Sequence, residues 1–308
     1  MCKKTIILVA VCDVKGSTNV PMAQAFQKFG YKVIPVNYRS IIKKYGMQFF
    51  ETLLIKTSIY YKPELILYSK TNIINPNLII ECNKYSKSFY WFMDPVETAK
   101  RIKYITDYAK NATYSSCTSV DMTNWFKELG VSPCYHILEG FDYDVLKPTE
   151  VFEEYKADIS FIGTRTPERD MYKKRLEAAE YKVKFYGPDY SGSFVTGKEF
   201  AKICSSSKFM LSLNTYNNIP NYFSDRLILF TGCGACTFHL DSTRTLNNYY
   251  QDGKEIMYFS DIDELIIKLK NIDDNKACEV AFKGRERTLR DYTWDVAIQK
   301  IINVISYK

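Results

Sequence analysis

Short apolar runs alternate along this chain with longer segments whose apolar residues recur at helical spacing. Runs at 5–12, 31–36, 64–68, 87–93, 112–116 and 134–138 are rich in β-branched and aromatic residues and carry little charge. That is the pattern of strands buried on both faces of a sheet. Between them, 19–29, 40–61, 96–108 and 119–129 read as helices, with Gly30 stopping the first and a break near Gly46 in the second. The alternation restarts with strands at 159–162, 182–186, 207–213, 234–238 and 256–259. Two helices, at 274–289 and 294–305, follow. Strand, helix and strand in succession predict parallel sheets, because parallel neighbours need a crossover connection.

The expected fold is therefore α/β, with two Rossmann-like domains facing each other across a cleft. Residues 1–150 make the first domain, 151–290 the second, and 291–308 a C-terminal helix packing back toward the first. The stretch 141–155, with acids, a proline and few aliphatic residues, is the expected connector. Most polar or glycine clusters follow the C-terminal end of an expected strand: Gly16-Ser17, Asp94, Glu139-Gly140, Gly163-Thr164-Arg165, Gly187 and Asn214-Thr215. Open α/β sheets bind ligands at that edge, although loops are polar everywhere.

Bulk composition narrows the class without naming a reaction. The 308 residues, 46% hydrophobic and 25% charged, are ordinary for a globular protein with room for two cores. A net charge of +7 suits anionic ligands, but the lysines are scattered and form no basic stripe of the kind that tracks nucleic acid. Nine cysteines, an odd number without regular spacing, point to reduced thiols and a cytoplasmic location. The apolar run near the N-terminus is too short to span a membrane and lacks a cleavage pattern, so no membrane span is expected. No G-x-G-x-x-G follows the first strand of either half, which disfavours a nicotinamide-dependent dehydrogenase.

The stretch 157–188 carries the clearest candidate chemistry. The run Ile159 to Ile162 ends at Gly163, a polar loop of Thr164, Arg165 and Thr166 follows, and Pro167 stands where a first helical residue would. Such a loop aims backbone amides and a guanidinium at one point, which favours a phosphate. An ordinary βα turn with a surface arginine fits it equally well. Asp94, after the WFM strand, is the first candidate for a general base; a helix cap before Pro95 is as good an account. Asp13 is the second. Glu255 in the DGKE tetrapeptide fits a ligand hydroxyl or plain turn chemistry. Cys233 and Cys236 form a CxxC without a second pair, better read as core packing. Asp142-Tyr143-Asp144 and Asp261-Ile262-Asp263 mimic a metal-binding DxD, but capping accounts for the latter. No metal and no cofactor are expected.

These residues carry a resemblance. FIGTRTPERDMYKKRLEA, KFYGP, SSSKFMLSLNTYN, SDRLILFTGCGACTF, YYQDGKEIMYFSDIDEL and RDYTWDVAIQKIINVI look like the nucleotide-sugar-binding half of GT-B glycosyltransferases. The likeness is in particular to the CgeB-like (spore maturation protein) branch of the group 1 superfamily, and FYWFMDP and LEGFDYDVLKP extend it to the first half. The resemblance implies a GT-B fold, a donor held by the second domain and an acceptor held by the first. By position, Gly163, Thr164 and Arg165 would hold the diphosphate, with Arg169 supporting or joining the loop. Tyr186 and Gly187 would border the nucleoside, and Asn214 and Arg226 would line the sugar-phosphate. The turn through Gly232, Cys233, Gly234 and Ala235 would let backbone approach the donor. Gly16, Ser17 and Glu255 would face the acceptor or the cleft. One departure is plain: Leu229 stands where many relatives carry a ribose-binding glutamate, and Asn221 where some carry an acid.

The expected function is metal-independent transfer of a sugar from a nucleotide-sugar, a UDP-sugar foremost, to a hydroxyl acceptor. The acceptor is open between a glycan, a protein, a small molecule and modified DNA. Two alternatives stand beside it: a glycosyltransferase acting on hydroxylated DNA bases, and a nucleotide-sugar-binding protein without catalysis.

Overall fold

The computed structural model describes residues 4–14 and 16–306. It divides into two compact units: residues up to Glu139 together with the last helix, Trp294–Ser306, and residues Gly140–Thr293. The division falls just ahead of the expected connector.

The first unit is built on a six-stranded parallel sheet: β1 (Thr5–Ala10), β2 (Lys32–Asn37), β3 (Leu65–Ser69), β4 (Lys87–Phe92), β5 (Tyr114–Cys117) and β6 (Cys134–His136), in spatial order β2-β1-β3-β4-β5-β6. Alternation along each strand sends neighbouring side chains to opposite faces. Ile7 and Val9 of β1 join Ile66, Tyr68, Tyr90 and Phe92 under one helical layer, which includes Met47–Tyr61 and Val120–Glu128. Ile6, Leu8 and Ala10 join Leu65, Leu67, Phe89 and Trp91 on the other face. There the cover is Asn19–Lys28 and Trp294–Ser306, the latter through Trp294, Ile298 and Ile301. Trp294 meets Trp91 edge-on at 5.9 Å, and the Trp91 indole N–H donates to the Ile137 carbonyl at 3.2 Å.

The second unit has a five-stranded parallel sheet: β7 (Ala157–Ile162), β8 (Val183–Tyr186), β9 (Ser207–Ser212), β10 (Thr237–Leu240) and β11 (Met257–Phe259), in order β11-β10-β9-β7-β8. Phe161, Phe209, Leu211 and Phe238 pack one face against Tyr172 and Leu176 of helix Pro167–Ala178 and Leu265 of helix Ile262–Asn271.

Three local expectations are corrected. The helix expected over 96–108 is two pieces, Val96–Ala99 and Ile105–Asn111, because Tyr104 takes the left-handed conformation at φ 66°. Asn77–Asn83 forms a helix where the apolar pattern predicts none. The strand expected at 234–238 begins at Thr237, since Gly234, at φ 79°, still belongs to the turn that closes helix Arg226–Gly232. No helix of the described residues is long and apolar enough to cross a membrane.

Candidate functional site

In the second unit, β7 leads to β8 on one side and β9 leads to β10 on the other. Loops therefore diverge between the carboxyl ends of β7 and β9, which is where an open α/β sheet leaves a crevice. Arg226 spans that point. Its Nε donates to the Ile162 carbonyl at 2.7 Å, and its Nη1 donates to the Leu213 carbonyl at 2.9 Å and the Ser224 hydroxyl at 3.1 Å. A Cβ built on Gly163 would lie 2.9 Å from Arg226 Nη2 and 2.7 Å from the Phe161 ring, so glycine alone lets the loop pass this close. The Nη2 group makes no hydrogen bond to the described residues.

Arg169 lies beneath the same point and is only 1% exposed. Its Nη1 donates to the Thr164 carbonyl at 2.6 Å and its Nη2 to the Leu213 carbonyl at 3.1 Å, while Nε is buried without a partner. The Leu213 carbonyl thus receives both arginines. The two guanidinium carbons sit 4.9 Å (Arg169) and 5.3 Å (Arg226) from the Phe161 ring centre, within cation–π range. Neither arginine has a carboxylate partner among the described residues. Burial, then the charge of Arg226, pushes the Arg169 pKa down to about 10, and burial also lowers that of Arg226. Two neighbouring positive charges, Arg169 buried and Arg226 partly buried, without a counter-ion among the described residues disfavour each other, and an anion at this edge would relieve both.

Above them runs the loop from Gly163 to Thr166. The Thr166 hydroxyl caps helix Pro167–Ala178 by accepting from the Arg169 amide at 3.2 Å, with Pro167 in the first turn. The amides of Thr164, Arg165 and Thr166 donate to none of the described residues. Arg165 is exposed, and its Nε pairs with Asp170 at 2.8 Å. That pairing raises the Arg165 pKa and lowers that of Asp170. Gly163 donates to the Tyr186 carbonyl at 2.9 Å, which locks this loop onto the end of β8. The Tyr186 hydroxyl is buried without a partner, and burial pushes its pKa up to about 12.

Other expected residues have local duties. Asn214 is buried; its side chain accepts from the Ser224 amide at 2.9 Å and donates to the Tyr222 carbonyl at 3.4 Å, holding the loop that delivers Arg226. Gly234 lies in an αβ turn entering β10, on the edge of the sheet opposite to Gly163 and Arg226. A Cβ on Gly234 would meet Pro148 at 3.0 Å, Gly232 backs onto the Phe141 ring, and Arg285 donates to the Gly232 carbonyl. The expected backbone approach to a donor gives way here to packing. Glu255 accepts from the Gln251 amide at 2.8 Å, the turn role considered for it. Asp261 accepts from the amides of Asp263 and Glu264 as a helix cap, and Asp142 from those of Asp144 and Val145. Cys233 and Cys236 are buried free thiols. Among the described residues no three His, Cys, Asp or Glu side chains gather as a metal site.

One residue escaped the sequence. His239 is wholly buried in β10, its Nδ1 2.8 Å from the Ser212 hydroxyl and its Nε2 without a partner. Burial, then Arg226, drives its pKa to about 3, so it is neutral beside the arginines. A histidine inside an apolar run was the available signal.

The first unit has its own switch point, between β1 and β3. Ser17 donates to the Val11 carbonyl, Asn19 donates to the same carbonyl at 3.1 Å, and Ser69 donates to Asn19 at 2.6 Å. Gly16 turns the β1 loop at φ 77°. Asp94 makes no cap; it pairs with Lys70 at 2.7 Å and is partly buried. Asp13 is exposed and accepts from the Ser40 hydroxyl. The structure thus brings Asp94, Ser17 and Asp13 to the carboxyl edge of one sheet, and Gly163, Arg165, Arg169, Asn214 and Arg226 to that of the other.

Comparison with known proteins fits this geometry. Residues 165–303 match the family model described as Glycosyl transferase-like. Trehalose-6-phosphate synthase OtsA superposes with a TM-score of 0.68 at 8% identity, over 99% of each chain. HepE of Anabaena, solved in complex with UDP, gives a TM-score of 0.66 at 11% identity, over 99% of this chain and 100% of that one. Sucrose-phosphate synthase from Thermosynechococcus elongatus gives 0.65 at 12% identity, over 98% of both. The fold is GT-B. Family match and fold together support an enzyme of the glycosyltransferase kind. No curated protein sequence matches the chain.

Proposed function

We propose that this chain moves a sugar from a nucleotide-sugar, with a UDP-sugar as the donor, to a hydroxyl acceptor without using a metal. The observation that carries the reading is the pair Arg169 and Arg226: one buried and one partly buried guanidinium, neither with a counter-ion among the described residues, at the switch point between β7 and β9. The diphosphate of the donor would lie over the Gly163–Thr166 loop, meeting its free amides, Arg226 Nη2 and Arg165. As the bond from sugar to phosphate breaks, negative charge grows on the leaving oxygen. Fixed donors in a poorly solvated crevice stabilise that charge without reorganising. Arg169 acts one step back, fixing the loop through Thr164. UDP is the nucleotide in the HepE complex, and it supports uridine as the donor base here. Leu229 offers no carboxylate to a ribose, so those hydroxyls would be met by other groups.

In the first unit, Asp94 is the proposed base that accepts the acceptor's proton, with Lys70 holding the carboxylate in place. Asp94→Asn keeps the shape and removes the charge. Turnover should fall about 10²- to 10⁴-fold. Loss of one partly exposed ion pair should cost at most about 1 kcal/mol of stability. Turnover with several acceptors and a thermal melt read both; unchanged turnover removes Asp94 from the mechanism.

The reading as a whole is tested by thermal shift with UDP, GDP, ADP and dTDP, followed by hydrolysis of the matching donor sugars. UDP should stabilise the protein most, and silence with every nucleotide would overturn the assignment. Arg165→Ala should weaken UDP binding by about tenfold or more, the worth of a charge-assisted hydrogen bond. Its melting curve should barely move, because the ion pair it loses is exposed.

A further inference from the structure

Two helices of the first unit, Tyr38–Tyr45 and Met47–Tyr61, present an outward surface poorly suited to water. Met47–Tyr61 packs through Phe50, Leu54 and Ser58, buried at a spacing of four. Helical spacing puts Gln48, Phe49, Thr52, Lys56, Ile59 and Tyr60 on the opposite side, and all of them are exposed. A solvent-facing stripe is ordinarily polar and charged; in this one Lys56 alone is charged. Phe49 is 48% exposed, Ile59 44% and Tyr60 79%. Tyr45, 53% exposed, continues the strip across Gly46, its ring 4.9 Å from that of Phe49.

Bases frame this strip. Arg39, Lys43, Lys44, Lys56 and Lys62 are all exposed, and across 38–62 the acids amount to Glu51, which is partly buried. Asp13, from the loop after β1, reaches this surface through the Ser40 hydroxyl. Lys44 lies 4.9 Å from the Tyr45 ring centre, so its charge sits among the exposed aromatics.

We propose that this face docks peripherally on an anionic lipid bilayer. Apolar and aromatic side chains with lysines beside them are the composition of helices that lie in the headgroup region, the rings entering the acyl boundary and the bases staying with the phosphates. Duplex DNA would engage the same bases but gains nothing from Phe49 and Ile59. The inference rests on surface chemistry and is independent of the sugar-transfer reading.

The test is flotation of the full chain with vesicles of phosphatidylcholine alone and of phosphatidylcholine mixed with phosphatidylglycerol. The chain should float with the mixed vesicles, weakly with the neutral ones, and less as salt rises. Lys43→Gln with Lys44→Gln should lower partitioning onto the mixed vesicles by about 25-fold, about fivefold for each lysine. Phe49→Ser with Ile59→Ser should lower it about tenfold or more on both vesicle types. These are surface changes, and unaltered melting curves with unaltered UDP stabilisation check that the variants fold. Absence of flotation with either vesicle, or flotation indifferent to Phe49→Ser with Ile59→Ser, overturns the proposal. Preference for a DNA duplex over vesicles, lost with the lysines but not with Phe49 and Ile59, would assign the face to nucleic acid instead.

Discussion

Arg226→Ala should cut donor turnover by about 10²- to 10³-fold, the usual cost of removing one fixed donor from a developing oxyanion. The size of the effect follows from how the side chain is held. Its Nε and Nη1 are spent on the carbonyls of Ile162 and Leu213, which leaves Nη2 beside Gly163 with its direction fixed. A lysine carries the charge but cannot bridge two carbonyls and still present a donor outward, so Arg226→Lys should recover little. Stability should change less than turnover. Leu213 keeps its bond from Arg169, and the Ile162 carbonyl loses the partner that Arg226 supplied. That loss costs about 1–2 kcal/mol, partly offset because a partly buried charge without a counter-ion is gone. Donor hydrolysis, UDP-induced thermal shift and the melting curve of the free protein separate these effects. If Arg226→Ala binds UDP and turns over within about threefold of the unaltered protein, the arginine does not hold the diphosphate.

The alternation of apolar runs was enough to read the parallel sheets, because a strand buried on both faces writes itself as a continuous apolar stretch. Val9 and Leu8 go to different cores, yet both must be apolar. Short helices and backbone reversals left weaker traces. Asn77–Asn83 spans too few residues for a helical period to stand out, and nothing in the sequence marks Tyr104 as left-handed. At the candidate site the arginines were legible as residue types but not in their division of labour. Arg165 and Arg169 are four apart on one segment, and the fold exposes one while burying the other against the Leu213 carbonyl. That carbonyl, a backbone acceptor forty-four residues away from Arg169, has no signature in side-chain identity. Gly234 misled for a related reason. A glycine-rich turn allows close approach, but whether to a ligand or to Phe141 and Pro148 depends on which edge of the sheet it occupies.

Gly187→Ala should be the most damaging single methyl in the second unit. Gly187 has φ 139°, a region that side chains essentially never occupy, and a Cβ there would fall on the Gly163 carbonyl. The chain has two ways out, and both are costly. Holding the backbone keeps a strained residue at about 1–3 kcal/mol on top of the overlap. Moving it pulls Gly163 off the Tyr186 carbonyl and gives up a hydrogen bond worth about 1 kcal/mol, along with the geometry of the loop beneath the proposed diphosphate. A loss of about 3 kcal/mol or more should lower the melting temperature by roughly 6–12 °C for a unit of this size. UDP stabilisation should weaken in the same variant, because the displaced loop carries the free amides. Gly192 supplies the comparison: it too is left-handed, at φ 88°, but a Cβ there has nothing within 4 Å. Gly192→Ala should therefore cost only the backbone term, about 1–2 kcal/mol, and leave UDP binding alone. Paired melts with and without UDP decide the matter. If the two alanine variants melt together and bind UDP alike, the contact between Gly163 and Gly187 does not set the loop, and no anion cradle is preformed at the end of β7.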